Sequence, residues 1–218
     1  PRLDAEVLLS HARQCERIEL YTAFAEEPDE EQRVAFREMV RRRGEGMPVA
    51  QLVGYREFYS TRFRVNDATL IPRPETEHLV VEALDCARQF SLDRPLQVID
   101  VGTGSGAIAI SVVQNCESAE MTAVDVSEDA LEIARWNAQK HQVVDRIQFL
   151  HSDLFSNVEQ PDRFDIVCSN PPYVSEAEYS ELAPTVRDFE PRLALVSGPE
   201  GTEVIARLLE QVPDRLHV

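Results

Sequence analysis

Beyond position 95 the sequence alternates between short apolar runs and amphipathic segments. The apolar runs predict strands at 96–101, 121–126, 147–150 and 164–169, and the segments between them predict helices at 107–113 and 128–141. Continuous β-branched runs between amphipathic helices are typical of a mostly parallel sheet with helices on both faces. We therefore predict an α/β fold, with a further helix at 203–211 and a strand that begins at 217–218.

The segment before this alternation has a helical pattern. Up to Met47 the apolar residues repeat with the helical period, and Asp29 and Gln32 are placed as the N-cap and N3 residues of one helix. The three arginines at 41–43 suit the end of that helix, because cations interact favourably with the helix dipole there. We expect a small N-terminal helical domain at 1–55.

A hairpin and a rigid connector join the two parts of the chain. Aromatic and β-branched residues at 58–60 and 63–65 predict a short β-hairpin. Two prolines fix the connector at 70–77 as extended backbone. We therefore assign 56–76 to the hairpin and linker and 77–218 to the α/β domain, from which we expect C-terminal strands to be missing.

Charge and composition exclude several classes of function. A formal net charge of −17 repels phosphate backbones, so we expect no direct nucleic-acid partner. The four cysteines and five histidines show no metal-ligand spacing, so we expect reduced thiols and no metal. No apolar run reaches transmembrane length and no signal peptide is visible, so we expect a cytoplasmic protein without membrane contact.

A glycine-rich turn follows the first strand of the alternating region. Its residues are Gly102, Thr103, Gly104, Ser105 and Gly106. The three glycines permit positive φ angles and let a ligand lie against the backbone. Because Ala107 completes a dinucleotide fingerprint, the turn fits NAD as well as S-adenosylmethionine. Asp125, at the end of the second strand, is suited to hold the ribose hydroxyls of either cofactor.

Three more polar residues follow predicted strands at their carboxyl ends, where ligands of such sheets bind. Asp100 precedes the glycine turn and favours S-adenosylmethionine, because the methionine amino group of that cofactor is cationic. Asp153 is placed either to accept a hydrogen bond from an adenine amino group or to serve as a turn residue. With Asn170 after the fourth strand, we expect these residues and Asp125 to surround one crevice.

The fourth strand is followed by Asn170, Pro171, Pro172 and Tyr173, a combination suited to holding a planar NH₂ group. A carboxamide nitrogen is a poor nucleophile because its lone pair is delocalised into the carbonyl group, and the amino nitrogen of adenine shares this defect. The Asn170 side-chain oxygen and the Pro171 carbonyl can accept from its two N–H bonds and turn the lone pair toward a methyl donor. Tyr173 is placed to lie flat against the target. The motif predicts methyl transfer from S-adenosylmethionine to an amide or amino nitrogen.

Eight segments of the chain resemble the release factor glutamine methyltransferases. They lie at 3–9, 48–59, 70–77, 100–109, 125–127, 152–155, 169–174 and 190–195. The sequence Ile-Pro-Arg-Pro-Glu-Thr-Glu at 71–77 is the most specific of them, whereas many methyltransferases share the glycine turn and Asn-Pro-Pro-Tyr. The resemblance implies a Rossmann-like S-adenosylmethionine methyltransferase domain that methylates the glutamine amide nitrogen in the Gly-Gly-Gln motif of peptide chain release factors.

The resemblance also implies roles for individual residues. Cofactor contacts fall on the glycine turn, Asp125, Leu154 and Asn170, with leucine at a position where some members carry tryptophan, and substrate contacts fall on 170–173. The N-terminal helices fit either a plain helical bundle or a substrate-docking module, and from their position in the chain we expect the docking module. A ribosomal-protein glutamine methyltransferase, an adenine-N6 nucleic-acid methyltransferase, an NAD oxidoreductase and a binding module without activity are the alternatives.

Overall fold

The computed structural model describes residues 2–22, 26–159 and 163–217. Helices and a hairpin make up the N-terminal part: α1 (Arg2–Arg13), α2 (Glu19–Thr22), α3 (Glu30–Gly44), α4 (Val49–Val53), β1 (Tyr55–Phe58) and β2 (Thr61–Arg64). The later part contains α5 (Glu77–Ala87), β3 (Leu96–Val101), α6 (Ala107–Asn115), β4 (Ala119–Asp125), α7 (Glu128–Lys140), β5 (Ile147–His151), β6 (Ile166–Ser169), β7 (Val174–Ser175), α8 (Glu176–Tyr179), α9 (Pro184–Arg187), β8 (Val196–Gly198) and α10 (Glu203–Gln211).

The N-terminal helices pack as a small bundle, as the helical period predicts. Helix α1 lies against α3, and Arg43 donates to Asp4 at 2.8 Å across that contact. Helix α3 begins with the predicted capping box, in which the Asp29 side chain accepts from Gln32 N and the Gln32 side chain accepts from Asp29 N. The last turn of α3 contains the arginines at 41–43.

The hairpin is present, but its turn lies two residues earlier than predicted. Tyr59 and Ser60, expected in the first strand, form the turn with φ angles of 48° and 59°, and Phe58 pairs with Thr61. Positive φ at both central residues is the geometry of a type I′ turn, which matches the twist of the two strands. The sequence does not reveal it, because the glycine or asparagine that usually marks such a turn is absent here.

The four strands predicted between positions 96 and 169 and the helices predicted at 107–113, 128–141 and 203–211 are present, with ends shifted by at most two residues. Their sheet has the order β5-β4-β3-β6, and each neighbouring pair is parallel. The chain moves outward from β3 to β5 and then returns to β6 on the other side of β3. This reversal is a topological switch point, and the crevice at the carboxyl ends of β3 and β6 is where sheets of this type bind ligands.

Apolar side chains cover both faces of this sheet. Val98 faces a core that includes Val80 of α5 and Phe63 of the hairpin, whereas the adjacent Ile99 faces Leu208 of α10. Alternate residues of β3 therefore enter two separate cores, which explains why apolar residues occur on both faces of the strand.

Two predictions concern the end of the chain and its cysteines. Leu216 forms a parallel bridge with Phe164, and His217 N donates to Phe164 O, whereas Val218 lies outside the described residues. All four cysteines are free thiols, and Cys168 is fully buried.

Within the described ranges no helix has the length and apolar character needed to cross a membrane. No group of His, Cys, Asp and Glu side chains there is arranged to hold a metal ion.

Candidate active site

The glycine turn is fixed to the end of strand β4 by backbone hydrogen bonds. Gly102 N and Thr103 N both donate to Val124 O, at 2.9 and 3.0 Å, and Gly104 N donates to Asp125 Oδ2 at 2.8 Å. Gly102 and Gly104 have φ angles of 78° and 56°, which glycine adopts without steric cost. Nothing lies within 4 Å of the position that a Cβ would take at either residue. The turn is therefore rigid and leaves its outer side open to a ligand.

Asp125 connects the turn to helix α7. Its Oδ1 accepts from Ser127 N at 2.9 Å, and the Ser127 hydroxyl caps α7 by accepting from Ala130 N at 3.2 Å, as predicted. Burial raises the pKa of Asp125, an effect that its hydrogen bonds to backbone N–H groups oppose. Each carboxylate oxygen keeps a second lone pair, so Asp125 can still accept from ribose hydroxyls.

Asp100 does not face a cavity, contrary to the prediction that it joins the crevice. Its side chain is fully buried, where Oδ2 accepts from Thr103 Oγ1 at 2.7 Å and from Ala109 N at 3.3 Å. Oδ1 is buried without a hydrogen-bond partner among the described residues. Burial raises the pKa of Asp100 to about 7. Asp100 thus anchors the glycine turn to the start of α6 from below.

These contacts distinguish between the two cofactors that the glycine turn fits. A pyrophosphate binds free N–H groups at the start of the helix after such a turn. Here the N–H groups of Gly102, Thr103 and Gly104 already have acceptors, and the Asp100 carboxylate occupies the start of α6. An anionic group would find no free donor among these three N–H groups and would lie near a carboxyl. The arrangement favours S-adenosylmethionine, which carries no phosphate.

A cavity of about 330 Å³ lies above the turn, within the usual range for ligand sites. The predicted site residues in its lining are Gly102, Thr103, Gly104, Ser105, Asp125, Asp153, Leu154, Asn170, Pro171 and Pro172. Gly106 is not among them. A Cβ on Gly106 would lie 3.0 Å from Ile110 Cδ1 and 3.2 Å from Ala134 Cβ, so this glycine lets α6 and α7 approach each other instead.

Asp153 and Leu154 form one end of this first cavity. Asp153 is paired with Arg207 of α10 at 2.7 Å, an interaction that the sequence did not suggest. Leu154 has a φ of 51°, uncommon for a branched side chain. The Ser152 hydroxyl donates to Leu154 O at 2.8 Å and accepts from Asn157 N at 3.0 Å, which holds the strained residue in place. Strain of this kind is characteristic of ligand sites.

A second cavity, of about 450 Å³, adjoins the first. Tyr173 lines the second cavity but not the first, and 68% of the residue is exposed to solvent. The residues that line both cavities are Leu70, Arg73, Thr76, Ser169, Asn170, Pro171 and Ala194. Asn170 is half-buried at this shared wall, between the glycine turn on one side and Tyr173 on the other.

The connector forms part of this shared wall because Glu190 holds it there. The Glu190 side chain is 1% exposed; its Oε1 accepts from Arg73 Nη2 at 2.5 Å and its Oε2 accepts from Ile71 N at 3.1 Å. Gln51 of α4 donates to Phe189 O at 2.6 Å beside this contact. No local sequence pattern indicates this pairing, because 117 residues separate Arg73 from Glu190.

The segments after position 190 also contribute to the first cavity, and sequence reasoning missed them. Pro191, Leu193 and Val196 line it from the loop and β8, and Val204 lines it from α10. The sequence pattern predicts only a further helix at 203–211 and indicates no role for it in the site.

Two known families match successive parts of this chain. The family described as "PrmC N-terminal domain" matches residues 1–54, and the family described as "Methyltransferase small domain" matches residues 78–186. A protein of Rhodopirellula baltica named release factor glutamine methyltransferase is 60% identical over 100% of this chain and 74% of that protein. Proteins of the same name from Nitratidesulfovibrio vulgaris and Koribacter versatilis are 42% and 40% identical, over 97% and 99% of this chain and 70% and 75% of those proteins.

A solved structure has a similar chain path. It is described as "hMettl16 catalytic domain in complex with MAT2A 3'UTR hairpin 6", and it matches with a TM-score of 0.53 at 15% identity. The match covers 71% of this chain and 58% of that chain. At this identity the likeness concerns the fold alone, and it agrees with the Rossmann-like sheet described above.

Proposed function

Because this chain belongs to the release factor glutamine methyltransferases, we propose that its two adjoining cavities transfer a methyl group from S-adenosylmethionine to a glutamine side chain of a release factor. The single observation that carries this assignment is that Asn170 and Pro171 line both cavities. A methyl group that leaves a donor in the first cavity for an acceptor in the second must pass them.

The first cavity is proposed to hold the cofactor. The open backbone of Gly102 and Gly104 allows close contact, Asp125 accepts from the ribose hydroxyls, and Leu154 packs against the adenine. Asp153, whose side chain is about half exposed while paired with Arg207, keeps its predicted role toward the adenine amino group. S-adenosylmethionine supplies a methyl group on a positively charged sulfur, which is already strongly electrophilic.

The second cavity is proposed to hold the acceptor amide. The Asn170 side-chain oxygen and the Pro171 carbonyl accept from the two N–H bonds of the glutamine, so that its lone pair points toward the first cavity. Pro172, with its fixed φ, keeps this backbone in place. Tyr173 lies against the planar amide from the solvent side. Because both reactants are held in line, positioning supplies most of the acceleration.

The substrate proposed for this site is the glutamine of the Gly-Gly-Gln motif in a peptide chain release factor. Two glycines beside the target allow a narrow loop to reach a cavity whose rim is formed by Tyr173 and Glu75. The N-terminal helices at 1–54 are proposed as the docking module for the rest of the release factor. The net charge of −17 disfavours a nucleic-acid substrate.

Radiolabelled S-adenosylmethionine tests the proposal against its alternatives. The protein should transfer label to a purified release factor and not to the same factor with asparagine in place of the Gly-Gly-Gln glutamine. Ribosomal proteins and duplex DNA, offered in parallel, should stay unlabelled. Label in a ribosomal protein alone would move the assignment to the related glutamine methyltransferases, and label in DNA alone would overturn it.

A further inference from the structure

Within the part of the chain that the structure describes, Arg73 is the one charged residue that lines both cavities. Its guanidinium is paired with the Glu190 carboxylate at 2.5 Å. Arg73 is 37% exposed and Glu190 is 1% exposed, so the cation faces the cavities while the anion stands behind it. The ion pair therefore lies at the shared wall, next to the path of any group that passes between the cavities.

Methyl transfer moves a positive charge past this wall. The nitrogen lone pair forms the new N–C bond as the C–S bond breaks, the bonding electrons pass to sulfur, and the nitrogen then loses one proton to water. Before the step the charge is on sulfur, and during the step it develops on nitrogen. An uncompensated guanidinium would repel both, because charges in a cavity are screened less than charges in bulk water.

Building on the function proposed above, we propose that Glu190 is a positioning residue for methyl transfer. It acts through Arg73 by neutralising the cation at the shared wall. It also accepts a hydrogen bond from the backbone N–H of Ile71, and this bond fixes the connector against the segment at 190–195. Glu190 thereby permits an arginine in the wall of a site built for a cationic cofactor.

Asp165 provides a matched control within the same chain. Its side chain is 2% exposed, and it accepts from Arg94 at 2.7 Å and from the backbone N–H of Gln97 at 2.9 Å. Glu190 has the same kind of partners and similar burial, but Asp165 and Arg94 line neither cavity. A general effect of losing a buried ion pair should therefore appear equally in Asp165→Asn and Glu190→Gln.

The test compares the affinities of S-adenosylmethionine and S-adenosylhomocysteine by calorimetric titration. The two ligands differ in the methyl group and in the charge on sulfur. In Glu190→Gln the affinity for the cationic ligand should fall about tenfold, while the affinity for the neutral product changes less than about twofold. In Asp165→Asn the ratio of the two affinities should equal that of the wild type.

Replacing Arg73 should change the ratio of the two affinities in the opposite direction, and replacing Arg73 and Glu190 together should restore it. Arg73→Gln leaves the Glu190 carboxylate uncompensated, so the ratio should shift in favour of S-adenosylmethionine. The double variant Arg73→Gln/Glu190→Gln is neutral and should restore the wild-type ratio within about twofold. Arg73→Gln keeps the test decisive if Glu190→Gln does not fold.

Three outcomes overturn the inference, and they differ in whether the proposed function also fails. If Glu190→Gln lowers the affinity for both ligands equally, the charge effect is absent and the proposed function stands. The same conclusion follows if Arg73→Gln shifts the ratio of affinities in the same direction as Glu190→Gln. If the wild-type protein binds neither ligand, the proposed function fails together with this inference.

Discussion

Asn137 donates from its side-chain nitrogen to the backbone carbonyl of Ser105 at 2.8 Å, and so joins helix α7 to the glycine turn. The same side chain accepts from Arg64 N at 2.8 Å and donates to Arg64 O at 3.1 Å. Asn137 is fully buried, and its amide uses its oxygen and both of its N–H groups. One residue thus connects the hairpin, the helix and the turn that faces the cofactor cavity.

Replacement of Asn137 by alanine should destabilise the protein strongly. Three backbone groups would lose their partners, one buried at Ser105 and two partly buried at Arg64, so we expect the free energy of unfolding to fall by about 3 kcal/mol in denaturant titrations. Asn115→Ala is the control, because that side chain makes one hydrogen bond, to Ser111 O, at the protein surface. It should cost less than about 1 kcal/mol. Equal losses would contradict the role assigned to Asn137.

Two glycines of the same turn should respond differently to alanine. Gly106 has a φ of 80°, and alanine at this position would place its Cβ against Ile110 and Ala134. In Gly106→Ala the free energy of unfolding should therefore fall by about 2 kcal/mol or more. Gly104→Ala meets no neighbour within 4 Å, so backbone strain alone should cost about 1 kcal/mol. The new methyl group would instead reduce affinity for S-adenosylhomocysteine about tenfold. The proposed separation of roles fails if Gly106→Ala shows the larger loss of affinity.

Asn170→Ala should separate turnover from cofactor binding. Loss of one acceptor for the target amide should lower kcat at least about 100-fold, whereas affinity for S-adenosylhomocysteine should change less than about threefold. Asn157→Ala is a suitable control, because that exposed amide donates to His151 O away from both cavities. Single-turnover assays with a release factor would measure the chemical step. A near-normal rate in Asn170→Ala would disprove the proposed grip on the acceptor.

Asp100 should make stability depend on pH in an unusual direction. Burial raises its pKa to about 7 in the folded protein, against about 3.9 in an unfolded chain. Between these values the folded state keeps a proton that the unfolded state has lost, so the free energy of unfolding falls as pH rises and stays low above pH 7. Asp100→Asn is neutral throughout. Its stability relative to the wild type should increase by on the order of 3 kcal/mol between about pH 4 and pH 8.

Asp165→Asn provides the control for this pH dependence. The hydrogen bond from Arg94 lowers the pKa of Asp165. The stability that this carboxylate contributes is therefore present above the unfolded pKa and is lost only as pH falls through the lower folded value. The difference in free energy of unfolding between Asp165→Asn and the wild type should be constant from about pH 5 to pH 8. A constant difference for Asp100→Asn over the same window would show that Asp100 is ionised in the fold.

Local sequence patterns sufficed for most of the α/β fold. Residues 96–101 are mostly apolar because β3 is buried on both faces, and Ser127 caps α7 through a bond to a residue three positions away. The hairpin turn was misplaced, because the positive φ angles of Tyr59 and Ser60 have no marker in their residue types. A sequence pattern within one segment therefore predicts the secondary structure and the burial of that segment.

The candidate site was predicted only where its residues follow strands. Asp125 and Asn170 are placed by the sheet topology, so their approach to one crevice follows from the parallel order. Asn137 and Glu190 could not be found in this way, because each acts on backbone 73 to 119 residues distant in the chain. Asp100 was assigned to the wrong side of the turn, since the sequence does not tell whether a carboxylate before a glycine turn faces the ligand or the core.

The wall that the two cavities share has a consequence for inhibitor design. A molecule that links an adenosine to a carboxamide through a short chain would span both compartments, and each half would raise the effective concentration of the other. The nucleoside half would suit many methyltransferases, because it meets the common glycine turn. Discrimination would come from the carboxamide half and from substituents directed at the connector beside Arg73 and Glu75.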